Sequence, residues 1–154
     1  MENFIVSARK YRPQEFDTVV GQSHVTDTLE HAIDESQLAQ ALLFCGPRGV
    51  GKTTCARILA RKINEKDGSV SEDGFAFNIQ ELDAASNNGV EHIRDLIDNV
   101  RFAPQVGKFK VYIIDWLMPD MNGIETVRRI RMVVGPVSPI IILTAYDWSD
   151  VEQE

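Results

Sequence analysis

The sequence predicts an α/β domain in three layers, in which a doubly wound parallel sheet of about four strands lies between two layers of helices. Four short apolar runs lack the alternation of half-exposed strands, and helical patterns of apolar residues separate them. Strands of this kind are buried on both faces, which requires a parallel sheet covered by helices on both sides. With 154 residues and 44% hydrophobic content, the chain can bury one core but is too short for two full domains. We therefore expect a single domain over residues 1–154.

The first helix is predicted from residue 23 to residue 33, after an irregular N-terminal segment. Proline and glycine punctuate residues 1–22, which is typical of chain without regular structure. Val25, Leu29 and Ile33 then recur at four-residue spacing, the apolar stripe of a surface helix. This helix is expected to lie against the sheet.

A glycine-rich loop separates the first strand from the second helix. The apolar run at residues 41–45 is followed by G-x-x-x-x-G-K-T, with the helix opening at Gly51. Glycines let the backbone wrap around an anion with its N–H groups pointing inward, and the helix adds the positive end of its dipole. An ordinary glycine-rich turn is the alternative, but the glycines, the lysine, the threonine and the flanking elements all agree with a phosphate-binding loop.

The side chains of this loop have distinct expected roles. Lys52 would reach the outer phosphates as a point charge, and the Thr53 hydroxyl would take one coordination position on Mg²⁺. The ligand is therefore expected to be ATP or ADP with Mg²⁺. The predicted nucleotide-binding residues of the loop are Gly46, Arg48, Gly49, Val50, Gly51, Lys52, Thr53 and Thr54.

The rest of the chain continues the pattern of strands and helices. A polar, acidic connection precedes the second strand, whose apolar residues begin at Phe75 and Phe77. The helix before the last strand is stopped by Gly135 and Pro136, and Ser149 and Glu152 form a capping box for one more helix. We predict strands at residues 75–82, 110–115 and 140–144, and helices at residues 90–100 and 124–134.

Composition limits the possible functions. The net charge of −7 and pI near 5.0 argue against a basic surface that holds nucleic acid. Cys45 and Cys55 fit reduced thiols better than a disulfide, and neither suggests zinc. No apolar run approaches the length of a membrane span, and the N-terminus lacks a secretory signal. We expect a cytoplasmic monomer without zinc and without a membrane partner.

From Ala8 to Asp115 the sequence resembles the ATPase module of the bacterial DNA polymerase III clamp-loader subunit gamma/tau, an AAA+ family. The resemblance rests on ARKYRPQEFDTVVGQ, GPRGVGKTT, ELDAASNNGVEHIRDLIDNVRFAP and KFKVYIID, which occur in the family's order. It implies a P-loop NTPase (AAA+)-like sheet with strand order 1-4-3-2. The alternative places strand one beside strand three, as in receiver domains.

The same resemblance implies roles for residues outside the loop. Residues 11–13 and 19–22 would border the adenine pocket, with Tyr11, Arg12 and Val20 as predicted contacts, although plain packing is the alternative for Tyr11 and Val20. Asp115 matches the acid that orients Mg²⁺, and Thr144 falls near the polar sensor position beside the γ-phosphate.

Other features of the family are not found in the sequence. Trp116 stands where the family has a catalytic Glu, and the zinc insert, the arginine finger and the helical lid are missing, so ATP hydrolysis is expected to be slow or undetectable.

After Asp115 the resemblance changes. D-x-x-M-P-x-M-N-G, over residues 115–123, resembles the middle of a response-regulator receiver, a flavodoxin-like fold in which Asp115 would be the phosphoacceptor and Thr144 the switch hydroxyl. The acidic partners of such an aspartate are absent, so phosphotransfer is not expected. We interpret the chain as a chimera, engineered or natural, of a clamp-loader-like part, residues 1–115, and a receiver-like part, residues 116–154.

Three functional hypotheses follow. The leading one is a nucleotide-binding module with little or no hydrolysis. The second is a chimera of two α/β folds without selected activity. The third, a clamp-loader subunit that contacts clamp and DNA, is disfavoured by the missing lid and oligomerisation region.

Overall fold

The computed structural model describes residues 11–65, 78–82, 90–104, 107–116, 123–135 and 138–145. Its elements alternate between strands and helices, as the sequence predicts. A 3-10 turn, Phe16–Thr18, comes first. It is followed by α1 (Ser23–Asp34), β1 (Ala41–Cys45), α2 (Lys52–Glu65), β2 (Ile79–Leu82), α3 (Val90–Val100), β3 (Val111–Asp115), α4 (Gly123–Val134) and β4 (Ile140–Thr144).

The described strands form one parallel sheet in the order β1-β4-β3-β2. This confirms the predicted α/β fold and strand order, and the receiver-like alternative with strand one beside strand three is wrong. Cys45 lies opposite Thr144, and Asp115 lies opposite Leu143. The carboxyl ends of β1, β3 and β4 therefore meet at one edge of the sheet.

Side chains alternate between the two faces of the sheet and build a separate core on each. On β3, Val111 and Ile113 belong to one apolar cluster, whereas Tyr112 and Ile114 belong to the other. The first cluster joins the sheet to the 3-10 turn, α1 and α2, and includes Phe16, Leu29, Leu59, Ile141 and Leu143. The second joins it to α3 and α4 and includes Leu82, Leu96, Val100, Ile130 and Ile140.

Lys62 holds the N-terminal segment on this framework. Its Nζ lies 3.1 Å from a carboxylate oxygen of Glu15 and 3.4 Å from one of Glu30, and 5.6 Å from the ring centre of Phe16. Phe16 itself is buried in the first cluster. The irregular segment is therefore anchored by one aromatic side chain and one group of ion pairs.

Several predicted boundaries differ from the structure by one residue: α1 ends at Asp34 and not at residue 33, and α4 begins at Gly123 and not at residue 124. The second helix begins at Lys52 and not at Gly51, because Gly51 has a φ of +93°, which is incompatible with a right-handed helix. The third strand begins at Val111, one residue later than predicted.

Several predictions fall on residues outside the described ones. They are the start of the second strand at Phe75 and Phe77, the receiver-like residues 117–122, and the capping box of Ser149 and Glu152. Among the helices that the structure describes, none is both long and apolar enough to cross a membrane.

Candidate nucleotide-binding site

The loop between β1 and α2 has the backbone that its glycines predict. Gly49 and Gly51 have φ angles of +83° and +93°, a region that residues with a Cβ rarely adopt. A Cβ built on either residue would meet no atom within 4 Å. The glycines are therefore required by the backbone conformation, and the space beside them is open to a ligand.

Lys52 lies against the loop that precedes it. Its Nζ donates hydrogen bonds to the carbonyl oxygens of Gly46, at 2.6 Å, and Pro47, at 2.7 Å. Burial lowers the pKa of Lys52, and attraction to Asp115 and Cys45 opposes that shift. The ammonium group is therefore held at the loop within electrostatic reach of the Asp115 carboxylate.

The edge of the sheet brings the remaining predicted residues towards the loop. Asp115 is the last residue of β3 and is half-buried, whereas Thr144 ends β4 and is 3% exposed. Because Thr144 lies opposite Cys45, it stands beside the residue from which the loop departs. Thr53 and Thr54 are half-buried in the first turn of α2.

The donor groups fit a magnesium ion carried by a nucleotide better than an ion held by protein alone. Among the described residues, no three or more His, Cys, Asp or Glu side chains are grouped to hold a metal. Mg²⁺ bound to phosphates keeps several waters and needs only one or two protein oxygens. The Thr53 hydroxyl and the Asp115 carboxylate are oxygens of that kind, on two elements that meet at this edge.

A cavity of about 190 Å³ adjoins the loop. The Gln22 amide links its outer wall to the loop, since Nε2 donates to the carbonyl oxygen of Val50 at 3.5 Å. The walls come from the N-terminal segment, α1, β1, the loop and α2. The lining residues are Gln22, Val25, Leu43, Phe44, Cys45, Val50, Gly51, Lys52 and Cys55.

The predicted adenine contacts lie outside this cavity. Tyr11 and Val20 are 76% and 94% exposed, and neither these residues nor the half-buried Arg12 line it. Gln22 belongs to the segment predicted to border the base but is not one of the predicted contacts. Sequence reasoning misses Val25 and Cys55 as cavity residues. The spacing of Val25 predicts a core position on its helix, and Cys55 is expected to be a reduced, buried thiol.

Position 116, after Asp115, is fixed by two backbone hydrogen bonds. Trp116 is 7% exposed, its N–H donates to the carbonyl oxygen of Leu143 at 2.8 Å, and its carbonyl oxygen accepts from the N–H of Gly123 at 2.8 Å. A Cβ on Gly123 would lie 2.9 Å from the carbonyl oxygen of Asp115, so only glycine allows α4 to begin so close to β3. Arg48, by contrast, is exposed on the loop.

A parallel sheet of order β1-β4-β3-β2, with a glycine-rich loop between β1 and α2, defines a P-loop ATPase fold. Residues 21–117 match the family model described as DNA polymerase III, delta subunit, and the chain belongs to that family. This confirms the clamp-loader AAA+ segment that the motifs predict.

Curated relatives agree with this assignment. The chain is 45% identical over 119 residues to DNA polymerase III subunit tau of Bacillus subtilis, which covers 70% of this chain and 21% of the relative. It is 44% identical over 125 residues to subunit tau of Escherichia coli, covering 73% of this chain and 19% of the relative. The chain therefore spans about a fifth of the length of these relatives.

Solved structures show the same fold at low identity. The Thermotoga maritima RuvB Holliday junction branch migration motor superposes with a TM-score of 0.54 at 20% identity, covering 87% of this chain and 41% of RuvB. A DNA polymerase III gamma subunit-related protein from the same organism gives 0.53 at 17% identity, covering 80% of this chain and 40% of that one. At such identities the likeness supports the fold alone.

Proposed function

We propose that this chain is a P-loop module that binds ATP or ADP with Mg²⁺ and hydrolyses ATP slowly or not at all. One observation carries the proposal. The loop after β1 has glycines at positive φ, and its lysine lies against loop carbonyls at the edge where Asp115 ends β3. Sequence similarity to DNA polymerase III subunits also supports nucleotide binding.

Each part of the site would take one part of the ligand. The loop N–H groups and the N-terminus of α2 would hold the phosphates, and Lys52 would exchange its two carbonyl partners for phosphate oxygens. Thr53 and Asp115 would hold Mg²⁺, with Thr144 near the last phosphate as a sensor. The adjoining cavity would take part of the nucleoside, against Gln22 and Val50.

Slow hydrolysis follows from the surroundings of Asp115. Hydrolysis needs an oriented water and groups that neutralise charge in the transition state. Trp116 supplies neither an acceptor for such a water nor a charge, and its side chain is buried. Binding needs only the loop, the helix terminus and the ion, so binding and chemistry separate in this chain.

The test is binding of a fluorescent ATP analogue to wild type and to Lys52→Ala. We expect the variant to lose binding at unchanged circular dichroism, because Lys52 supplies charge to phosphate. The matched control is Arg128→Ala, which removes an equal charge from a side chain 74% exposed on α4. Undiminished affinity in Lys52→Ala would mean that the loop is not the site.

The same titration tests the alternative that the chain is a chimera without selected activity. The family match ends at residue 117, where D-x-x-M-P-x-M-N-G has begun at Asp115. This supports a receiver-like part over residues 116–154, joined to a clamp-loader-like part in one domain. Binding by wild type favours a functional module, whereas its absence favours the chimera without activity.

A further inference from the structure

The chain from residue 15 to residue 30, the 15–30 loop, has both of its ends at Lys62 of α2. The Lys62 Nζ lies 3.1 Å from a carboxylate oxygen of Glu15, at the start of this loop. It also lies 3.4 Å from one of Glu30, in α1 at the end of the loop. Between these two carboxylates the chain passes through Gln22, the residue before α1. One ammonium group therefore closes the base of a loop that has Gln22 near its tip.

The tip of the 15–30 loop faces the phosphate loop. Gln22 lines the cavity there, and its Nε2 donates to the carbonyl oxygen of Val50 at 3.5 Å. Next to it, Gly21 has a φ of +78°, and a Cβ on Gly21 would meet none of the described atoms within 4 Å. Val20 is exposed as well. Packing around the tip is therefore sparse, and the position of Gln22 depends on how the rest of the loop is held.

The base of the 15–30 loop is held by the ion pairs of Lys62 and by one buried ring. Phe16 belongs to the first apolar cluster, and the Lys62 Nζ lies 5.6 Å from its ring centre. Lys62 is ten residues beyond Lys52 on α2, which is about 15 Å along the helix axis. At that separation Lys62 acts on the site through the loop and not by contact with the phosphates.

We propose that Lys62 is a positioning residue for nucleotide binding, because it closes the base of the 15–30 loop and so holds Gln22 where the cavity receives the nucleoside. This inference rests on the nucleotide binding proposed above. The loop supplies Gln22 and Val25 to the cavity, whereas the phosphates belong to Lys52 and the phosphate loop. Removal of the Lys62 charge should therefore weaken binding of the nucleoside and leave binding of the phosphates unchanged.

The experiment compares MgADP with magnesium tripolyphosphate, which carries no nucleoside, by calorimetric titration of the whole chain. Partly exposed ion pairs are individually modest, so Lys62→Met should weaken MgADP about threefold to tenfold and change tripolyphosphate by less than about twofold. Lys62→Arg should keep most of the MgADP affinity. The matched control is Lys108→Met, which removes the same charge from a lysine whose Nζ lies 5.3 Å from the ring centre of Phe109, and it should change neither affinity.

Glu15→Gln separates closure of the loop from long-range attraction between charges. Loss of a carboxylate alone would strengthen the binding of an anion, whereas an opened loop weakens it. We expect Glu15→Gln to weaken MgADP, as Lys62→Met does. For both variants the ratio of wild-type to variant affinity should fall between about 0.05 M and about 0.5 M NaCl, because salt screens the ion pairs. The Glu15 side chain is 51% exposed, so this variant tests the loop even if Lys62→Met does not fold.

Equal losses for the two ligands in Lys62→Met would overturn the proposal, as would tighter MgADP binding in Glu15→Gln or unchanged MgADP affinity in both variants. Binding of MgADP by wild type with no effect in the variants would sink this inference alone and leave the proposed function standing. If wild type binds no MgADP, both fail. Hydrogen exchange at the Val19 N–H, which donates to the carbonyl oxygen of Phe16 at 3.0 Å, then still measures closure of the loop, and it should be faster in Lys62→Met.

Discussion

Single residues at the carboxyl edge of the sheet meet structural and functional demands together. Trp116 follows Asp115, and both its backbone hydrogen-bonding groups are engaged, one with Leu143 and one with Gly123. Its side chain is buried, so a substitution at position 116 must first fit the packing before it can take part in ATP hydrolysis. Near the start of β3, Tyr112 is 1% exposed, and its hydroxyl has no hydrogen-bond partner among the described residues.

Trp116→Glu is expected to raise ATP hydrolysis little, although it restores the acidic pair of the family. An arginine finger alone is worth about 10³ to 10⁵ in turnover, and one added carboxylate does not supply that stabilisation of transition-state charge. A carboxylate at this buried position should also lower stability by about 3–5 kcal/mol, the usual cost of losing a large core aromatic side chain. Phosphate release under saturating MgATP measures the rate.

Trp116→Gln is the matched control for that experiment, because it removes the same ring without adding a carboxylate. Circular dichroism and urea unfolding show whether either variant still folds. A rate on the order of 1 per second or faster in Trp116→Glu alone would show that a carboxylate at position 116 can orient a water after all.

Tyr112→Phe is expected to leave stability equal or higher at pH 7, since an unsatisfied buried hydroxyl costs about 1–3 kcal/mol. Burial raises the pKa of Tyr112 from 10.0 to about 12. Above pH 10 the unfolded chain releases this proton while the folded chain keeps it, so wild type loses stability between pH 10 and pH 12. Urea unfolding of both proteins at pH 7 and pH 11 measures the difference, and parallel losses would refute the role of Tyr112.

At the scale of elements, Arg131 ties the end of α4 to the start of the sheet. Its Nη1 donates to the carbonyl oxygens of Gly135, at 3.0 Å, and Ser138, at 2.7 Å, and its Nη2 donates to that of Gln40, at 2.7 Å. The carbonyl oxygen of Gln40 also accepts from the N–H of Ile140 at 3.0 Å. One guanidinium group therefore joins the end of α4 and the approaches to β1 and β4, where burial lowers its pKa.

Arg131→Met is expected to lower the free energy of unfolding by about 2–3 kcal/mol, because it keeps most of the apolar stem and removes charge-assisted hydrogen bonds. Arg128→Met is the control on the same helix, where the side chain is 74% exposed, and it should change stability by less than about 0.5 kcal/mol. Urea unfolding measures both. Equal losses in the two variants would show that the three bonds of Arg131 contribute nothing specific.

At the scale of the whole molecule, the residues after Asp115 supply an interior strand of the sheet. β4 pairs with β1 on one side and with β3 on the other. Without β4, β1 would have no neighbouring strand among the described residues. Whatever the origin of the residues after Asp115, those at 140–144 belong to the same sheet as the P-loop part.

We therefore expect a single cooperative unfolding transition. Both tryptophans, Trp116 and Trp148, follow Asp115, and Trp148→Phe leaves Trp116 as a probe of the second part. Its fluorescence and the far-UV circular dichroism should give the same midpoint in urea. MgADP at about 100 times its Kd should add about 2.7 kcal/mol by both probes. A fluorescence transition that precedes the dichroism would contradict one domain.

Much of the fold was predictable from local patterns. β1 and β4 occupy the predicted residues because a run of apolar side chains in sequence becomes a strand buried on both faces. The phosphate loop was predictable for a similar reason, since its glycines and Lys52 are neighbours in the chain. The order of the strands and the roles of Asp115 and Thr144 came from family resemblance, because no local pattern encodes which strands pair.

The sequence by itself determined the elements, the phosphate loop and the family. Only the tertiary structure decided which side chains form the cavity, that Tyr11 and Val20 lie outside it, and that Arg131 reaches Gln40. The physical reason is that local patterns report backbone preference and burial, which neighbouring residues determine. The hydrogen bond from Gln22 to Val50 and the cavity that Cys45 and Cys55 both line depend on how separate elements dock, and that is a property of the assembled core.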